Sequence, residues 1–213
     1  MKSSGFEHGR KWLDMGKRIW SILVAIALLT VGAVACAEQL PSPTMPTLVE
    51  AEVAGFGSVA LKEDFVIQLV AETETAAAVL TEVQEFVETE KIAKYFDEES
   101  MAAAVEYLPE DYNVENLMLA EVYELMVINY VVEYGDASAT FEFAVEYPDD
   151  AILLGMVGIV NSEAVQKDAP EITWFPVQAE ANEGRVQVMV AQELLEQITD
   201  SEAAIFVLLQ DQK

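Results

Sequence analysis

The chain has 213 residues, 11 Lys+Arg against 38 Asp+Glu, and a formal net charge of −27. Only Glu7 and Asp14 oppose the five basic residues before position 19, so the rest carries six basic and 36 acidic side chains, a surface that repels phosphate backbones and excludes a nucleic-acid partner. His8 and Cys36 are the only residues of their kinds, which removes His/Cys metal sites, Ser-His-Asp triads and disulfides from everything after residue 36, while 53% hydrophobic content excludes wholesale disorder.

Residues 19–35 are uncharged and follow Lys17 and Arg18, the arrangement of a secretory signal. As a helix this stretch reaches roughly 25 Å at about 1.5 Å per residue, against a hydrocarbon core of about 30 Å. Length alone therefore leaves a membrane-spanning helix open. Its exit, Ala33-Val34-Ala35-Cys36, resembles the lipobox of bacterial lipoprotein precursors, with Ala33 where Leu is usual. The resemblance implies cleavage after Ala35, diacylglyceryl transfer to Cys36 and acylation of the new amino terminus. The membrane would then be a partner reached through lipid, held stably because two chains anchor where one does not. Two alternatives stay open: ordinary signal-peptidase cleavage at the Ala-x-Ala of Ala33 and Ala35, and an uncleaved anchor. All three place residues 37–213 outside the cytoplasmic membrane, on its outer side or at the cell surface. A lone cysteine in an oxidising exterior needs a reason, and thioether attachment supplies one.

After a signal peptide over 1–35, residues 36–64 read as a lipid-anchored tether. Pro41, Pro43 and Pro46 make its first part stiff and extended. Gly55 and Gly57 break any helical period in 48–64, which is tether or a loose first strand. Residues 65–116 read as a strand plus a helical section. The strand is 65–70, by β-branched content. Val79, Val83 and Phe86 keep a 3.6-residue period from Thr75 onward, and Asp97 is placed to cap a short helix over 98–107 that Pro109 ends.

Residues 117–213 read as an antiparallel, β-sandwich-like section, with 65–213 one folded unit. Strands are predicted at 118–124, 126–133, 139–147, 152–160, 172–178, Arg185–Val190 and 203–209. The alternation of Ala139, Phe141, Phe143, Val145 and Tyr147 is the clearest signal. Pro148-Asp149-Asp150 is a turn, Gly155 and Gly158 are candidate bulges, Asn182-Glu183-Gly184 is a tight connection, and 193–198 is a short helix. The fold class is α+β: a small helical section followed by an antiparallel sandwich-like domain.

The order Tyr147-Pro148, Val157-Gly158-Ile159, Thr173-Trp174 and a final Ala-Ile-x-Val-Leu strand, with Tyr95-Phe96 and Leu108-Pro109 upstream, resembles a β-rich module of bacterial secreted and lipid-anchored proteins. The resemblance spans 75–209. It implies an extracellular β module and brings no catalytic residues with it.

With imidazole and thiol missing, paired carboxylates are the only acid/base resource, as in glycoside hydrolysis. Glu142 and Glu146 share one face of a strand, but that face alternates with the apolar one and is expected to be solvated. Calcium suits so acidic a protein, yet no EF-hand spacing occurs. Asp149-Asp150 and Asp97-Glu98-Glu99 read as a turn and a cap, so no metal site and no cofactor is predicted. Trp174, the sole tryptophan after Cys36, and Phe175 point to opposite sides of one strand and are candidate ligand contacts, with a core role for Trp174 the simpler reading. Met118, Met126, Met156 and Met189 read as core filler. The expected function is a non-catalytic cell-envelope lipoprotein displaying a β-rich module for a protein or glycan partner. The alternative is a carbohydrate-active enzyme or carbohydrate-binding module using carboxylates and aromatics.

Overall fold

The computed structural model describes residues 45–54, 57–58, 65–71, 73–161, 171–201 and 203–212, within a compact unit spanning 41–213. The signal-like stretch, Ala35, Cys36 and the tether up to residue 44 lie outside the described residues.

Nine described strands form one antiparallel sheet. They are β1 (Thr47–Val53), β2 (Gly57–Ser58), β3 (Val66–Val70), β4 (Leu117–Ile128), β5 (Ala137–Glu142), β6 (Ile152–Asn161), β7 (Glu171–Asn182), β8 (Arg185–Val190) and β9 (Ala204–Asp211). Their order is β2-β1-β5-β8-β7-β6-β9-β4-β3. β1 also touches β3 from the far side of the ladder, so eight strands make a closed or nearly closed sheet. Three short helices accompany it: α1 (Glu74–Val87), α2 (Glu98–Ala104) and α3 (Gln192–Asp200). The α+β class therefore holds, and strand exceeds helix.

The curled sheet has two cores because its central strands are apolar on both faces. In β9, Ala204, Phe206 and Leu208 enter the inner core while Ile205, Val207 and Leu209 enter the outer one. β6 divides the same way, with Leu153, Val157 and Ile159 inside and Leu154 and Met156 outside. Continuous apolar runs at the middle of a sheet are what burial on both faces requires. The outer core is covered by α1 through Ala76, Val79 and Val83, and by α2 through Met101 and Ala104. Leu194, Leu195 and Ile198 of α3 join the inner core. Phe65, Tyr130 and Tyr134 meet ring to ring beside it.

Caps fix the helix starts. Thr73 Oγ1 accepts the Ala76 N–H at 3.1 Å and Asp97 Oδ1 accepts the Ser100 N–H at 2.8 Å, satisfying donors that the helix leaves open. Ala191 has no capping side chain. Asp136, before β5, supplies the carboxylate instead, accepting the Gln192 N–H at 2.8 Å. At the β7–β8 hairpin, Glu183 and Gly184 have φ of 52° and 77°. That geometry matches the right-handed twist of the strands.

Several expectations change. Of the two readings for 48–64, Thr47–Val53 is a strand, paired with β5, so the tether expected over 36–64 gives way to sheet at Thr47. The strands expected at 118–124 and 126–133 are one strand with a bulge between Leu119 and Glu121. It ends where Asn129 turns to φ 57°, a conformation asparagine tolerates better than most residues. β5 stops at Glu142 although Phe143 and Tyr147 stay buried, and Val145 is 48% exposed, against the alternation. Gly155 and Gly158 make no bulge, since β6 pairs with β7 without a register shift. They permit close approach: a Cβ on Gly155 would lie 2.5 Å from Val177 Cγ2, and one on Gly158 2.6 Å from Ile172 Cγ2. Of the four methionines read as core filler, only Met156 is buried; Met118, Met126 and Met189 are exposed.

Candidate functional site

Neither sequence-level ligand aromatic faces solvent. Trp174 is 7% exposed, its ring 5.0 Å from that of Phe96 and 6.0 Å from that of Tyr95, and its carbonyl accepts the Ser100 hydroxyl at 2.6 Å. Phe175, on the opposite face of β7, is half-buried against the inner core. The simpler reading of Trp174 as a core residue is correct. Tyr130 and Tyr147 are buried as well.

The paired carboxylates lie at the surface. Glu142 and Glu146 are both exposed, and Glu142 Oε2 lies 4.0 Å from Arg185 Nε. Among the described residues, no three His, Cys, Asp or Glu side chains are placed together to hold a metal ion, and no helix is long and apolar enough to cross a membrane. Asp97 serves as a cap, and Asp149 Oδ1 accepts the Glu183 N–H at 2.7 Å, tying the turn before β6 to the β7–β8 hairpin.

One carboxylate points inward. The bulge in β4 sets Glu121 opposite Leu208, on the inner face, where Tyr123 donates its hydroxyl to Glu121 Oε2 at 3.1 Å. Burial pushes the Glu121 carboxyl above the ordinary glutamate range, against the opposing pull of the Tyr123 bond. Burial first, and then the Glu121 charge, pushes the Tyr123 and Tyr147 phenols up. The rings of Tyr123, Phe143 and Tyr147 pack in sequence beside it. The carboxylate, the Tyr123 hydroxyl and the neighbouring rings thus form one polar-aromatic cluster on the inner face of the sheet. Because the folded state holds the carboxyl proton more tightly than the unfolded chain, the charged carboxylate weakens the fold at neutral pH. The penalty fades as pH falls through the folded-state pKa. Glu121→Gln, which keeps an acceptor for Tyr123, is therefore expected to raise Tm at neutral pH. Calorimetry should show that gain vanish in acid below the glutamate range.

A recess open to solvent lies elsewhere. After α2 the chain continues through a single 3-10 turn, Val105–Tyr107, which Leu108 and Pro109 end. This turn faces the start of β6 and the end of β7, where Ile152 pairs with Glu180 and Leu153 with Ala179. Between them is a groove of about 650 Å³ with Glu106, Tyr107, Asp149, Gln178 and Glu180 on its walls and no basic residue lining it. Tyr107 is 44% exposed. Gln178 Nε2 donates to Glu180 Oε1 at 2.6 Å, which holds the amide and the carboxylate together.

No known family, curated protein or solved structure matches this chain. The groove was not legible in the sequence. Tyr107 read as the end of a helix and Asp149 as a turn; the pairing of β6 with β7 brings the chain after Asp149 to residues 178–180, and the packing of the 105–107 turn on β7 brings Tyr107 there.

Proposed function

We propose that the chain is the precursor of a cell-envelope lipoprotein, anchored outside the membrane through Cys36, whose β-rich domain binds a partner without catalysing a reaction. The observation that carries the address is the sequence of Lys17-Arg18, the uncharged 19–35 and Ala33-Val34-Ala35-Cys36, followed by a proline-rich stretch that runs into β1. The sheet and its covering helices form a stable platform for display, and the acidic surface suits a soluble exterior. The non-catalytic reading is supported by the exposure of Glu142 and Glu146, the carboxylate pair that the sequence offered. The finer fold description proposed is sandwich-like, with strands of opposite sides of the curled sheet meeting across the inner core; that core draws on β1, β5 and β8 as well as β4, β6 and β9.

Cys36→Ser tests the address. In a bacterial host, fractionation is expected to show the wild type in the detergent-extracted membrane and the variant's processing blocked or its domain released. Wild-type protein recovered wholly in the soluble fraction overturns the lipid anchor. A second reading, a carbohydrate-active or carbohydrate-binding protein, is favoured by one observation: the exposed Tyr107 beside the Gln178–Glu180 pair.

A further inference from the structure

We infer that the groove between the turn at 105–109 and the ends of β6 and β7 is a binding site for a neutral oligosaccharide. The inference rests on the reading of the domain as a binding module and names its ligand. A sugar ring presents an apolar face and a rim of hydroxyls, each both donor and acceptor. The groove offers the counterpart of each. Tyr107 supplies an exposed ring at one wall, a large and rigid contact surface with a polar tip. Gln178 and Glu180 supply a polar edge on the other. Their mutual bond uses one amide hydrogen and one carboxylate oxygen, leaving a donor and acceptors side by side.

Charge narrows the class. Glu106, Asp149 and Glu180 line the groove without a basic residue, so a phosphorylated, sulfated or uronic-acid chain meets repulsion. An apolar ligand would strand those carboxylates away from water. A basic polypeptide would be attracted, but with equal reason to the rest of a surface that carries 36 acidic side chains after residue 18, so charge gives it no preference for this recess. Alternating donors and acceptors suit hydroxyls better than ammonium groups, which only donate.

The test is isothermal titration of the full chain, purified in a detergent without sugar, with cellohexaose, xylohexaose, mannohexaose and chitohexaose. Saturable one-to-one binding of at least one hexaose is expected. Tyr107→Ala and Glu180→Ala are each expected to weaken it roughly tenfold or more. Glu85→Gln, an exposed change on α1, should leave it within about twofold. Tyr107→Phe, which keeps the ring, should retain most of the binding and separates loss of stacking from loss of fold. No heat from any of the four hexaoses overturns the proposal, as does binding that survives Tyr107→Ala. Hexalysine binding that falls in Glu180→Ala and not in Glu85→Gln also overturns it, in favour of a basic segment in the groove. None of these results moves the lipid anchor, which the Cys36→Ser fractionation reads independently.

Discussion

Gly158→Ala is expected to lower Tm by roughly 3–10 °C, the effect of overpacking worth about 1–3 kcal/mol in a domain of this size. The new methyl group would lie 2.6 Å from Ile172 Cγ2, 2.7 Å from Trp174 Cζ3 and 2.9 Å from Trp174 Cε3. Neither neighbour yields easily. Ile172 is β-branched and stiff at χ1, and Trp174 is wedged against Phe96 and Tyr95. Gly155→Ala should behave alike, since its methyl would meet Val177 Cγ2 at 2.5 Å and Phe206 Cε2 at 3.0 Å from the inner side. The two glycines thus report on opposite faces of β6. Differential scanning calorimetry of both variants checks this; a Tm within a degree of wild type for either would show that β6 and β7 pack less closely than described.

Trp174→Ala carries the other large effect, about 3–5 kcal/mol of destabilisation for removal of a buried tryptophan. The indole fills the space between β7 and the segment around Phe96, and it is the largest side chain in the outer core. Its loss should loosen the packing of α2 on the sheet, where Ser100 bonds the Trp174 carbonyl. Urea unfolding followed by far-UV circular dichroism should show a lower midpoint. Trp174→Phe should recover part of the loss, because an aromatic ring still meets Phe96. An unchanged midpoint in Trp174→Ala would return the residue to the surface and reopen it as a ligand contact.

The fold was legible where one physical rule acted alone. Arg185–Val190 was bounded correctly because the Glu183-Gly184 turn opens it and the helical period of α3 takes over from Gln192. The cap at Asp97 lay where a short polar side chain precedes a helical period, whereas the first helix begins at Glu74, capped by Thr73, which the period from Thr75 did not mark. Leu194, Leu195 and Ile198 face the core as their spacing requires. Sequence reasoning failed where tertiary context decided. Gly155 and Gly158 look like bulge glycines in one dimension; only the neighbouring strand shows that they make room for Val177, Ile172 and Trp174. The alternation through Val145 broke because the chain leaves the ladder after Glu142, and Tyr147 then returns to bridge Gly184. Glu121 faces inward only because a bulge shifts the register at Ala120, which composition does not mark. The groove was the least legible feature, because it joins residues near 107, 149 and 180 that no local pattern connects.

Intact-mass and amino-terminal peptide analysis of the mature protein, extracted from the membranes of a bacterial host, tests the central claim most directly. The account predicts a chain that begins at Cys36 and carries a thioether-linked diacylglyceryl group. A chain that retains residues 1–35, or one that begins at Cys36 with an unmodified thiol, would contradict it.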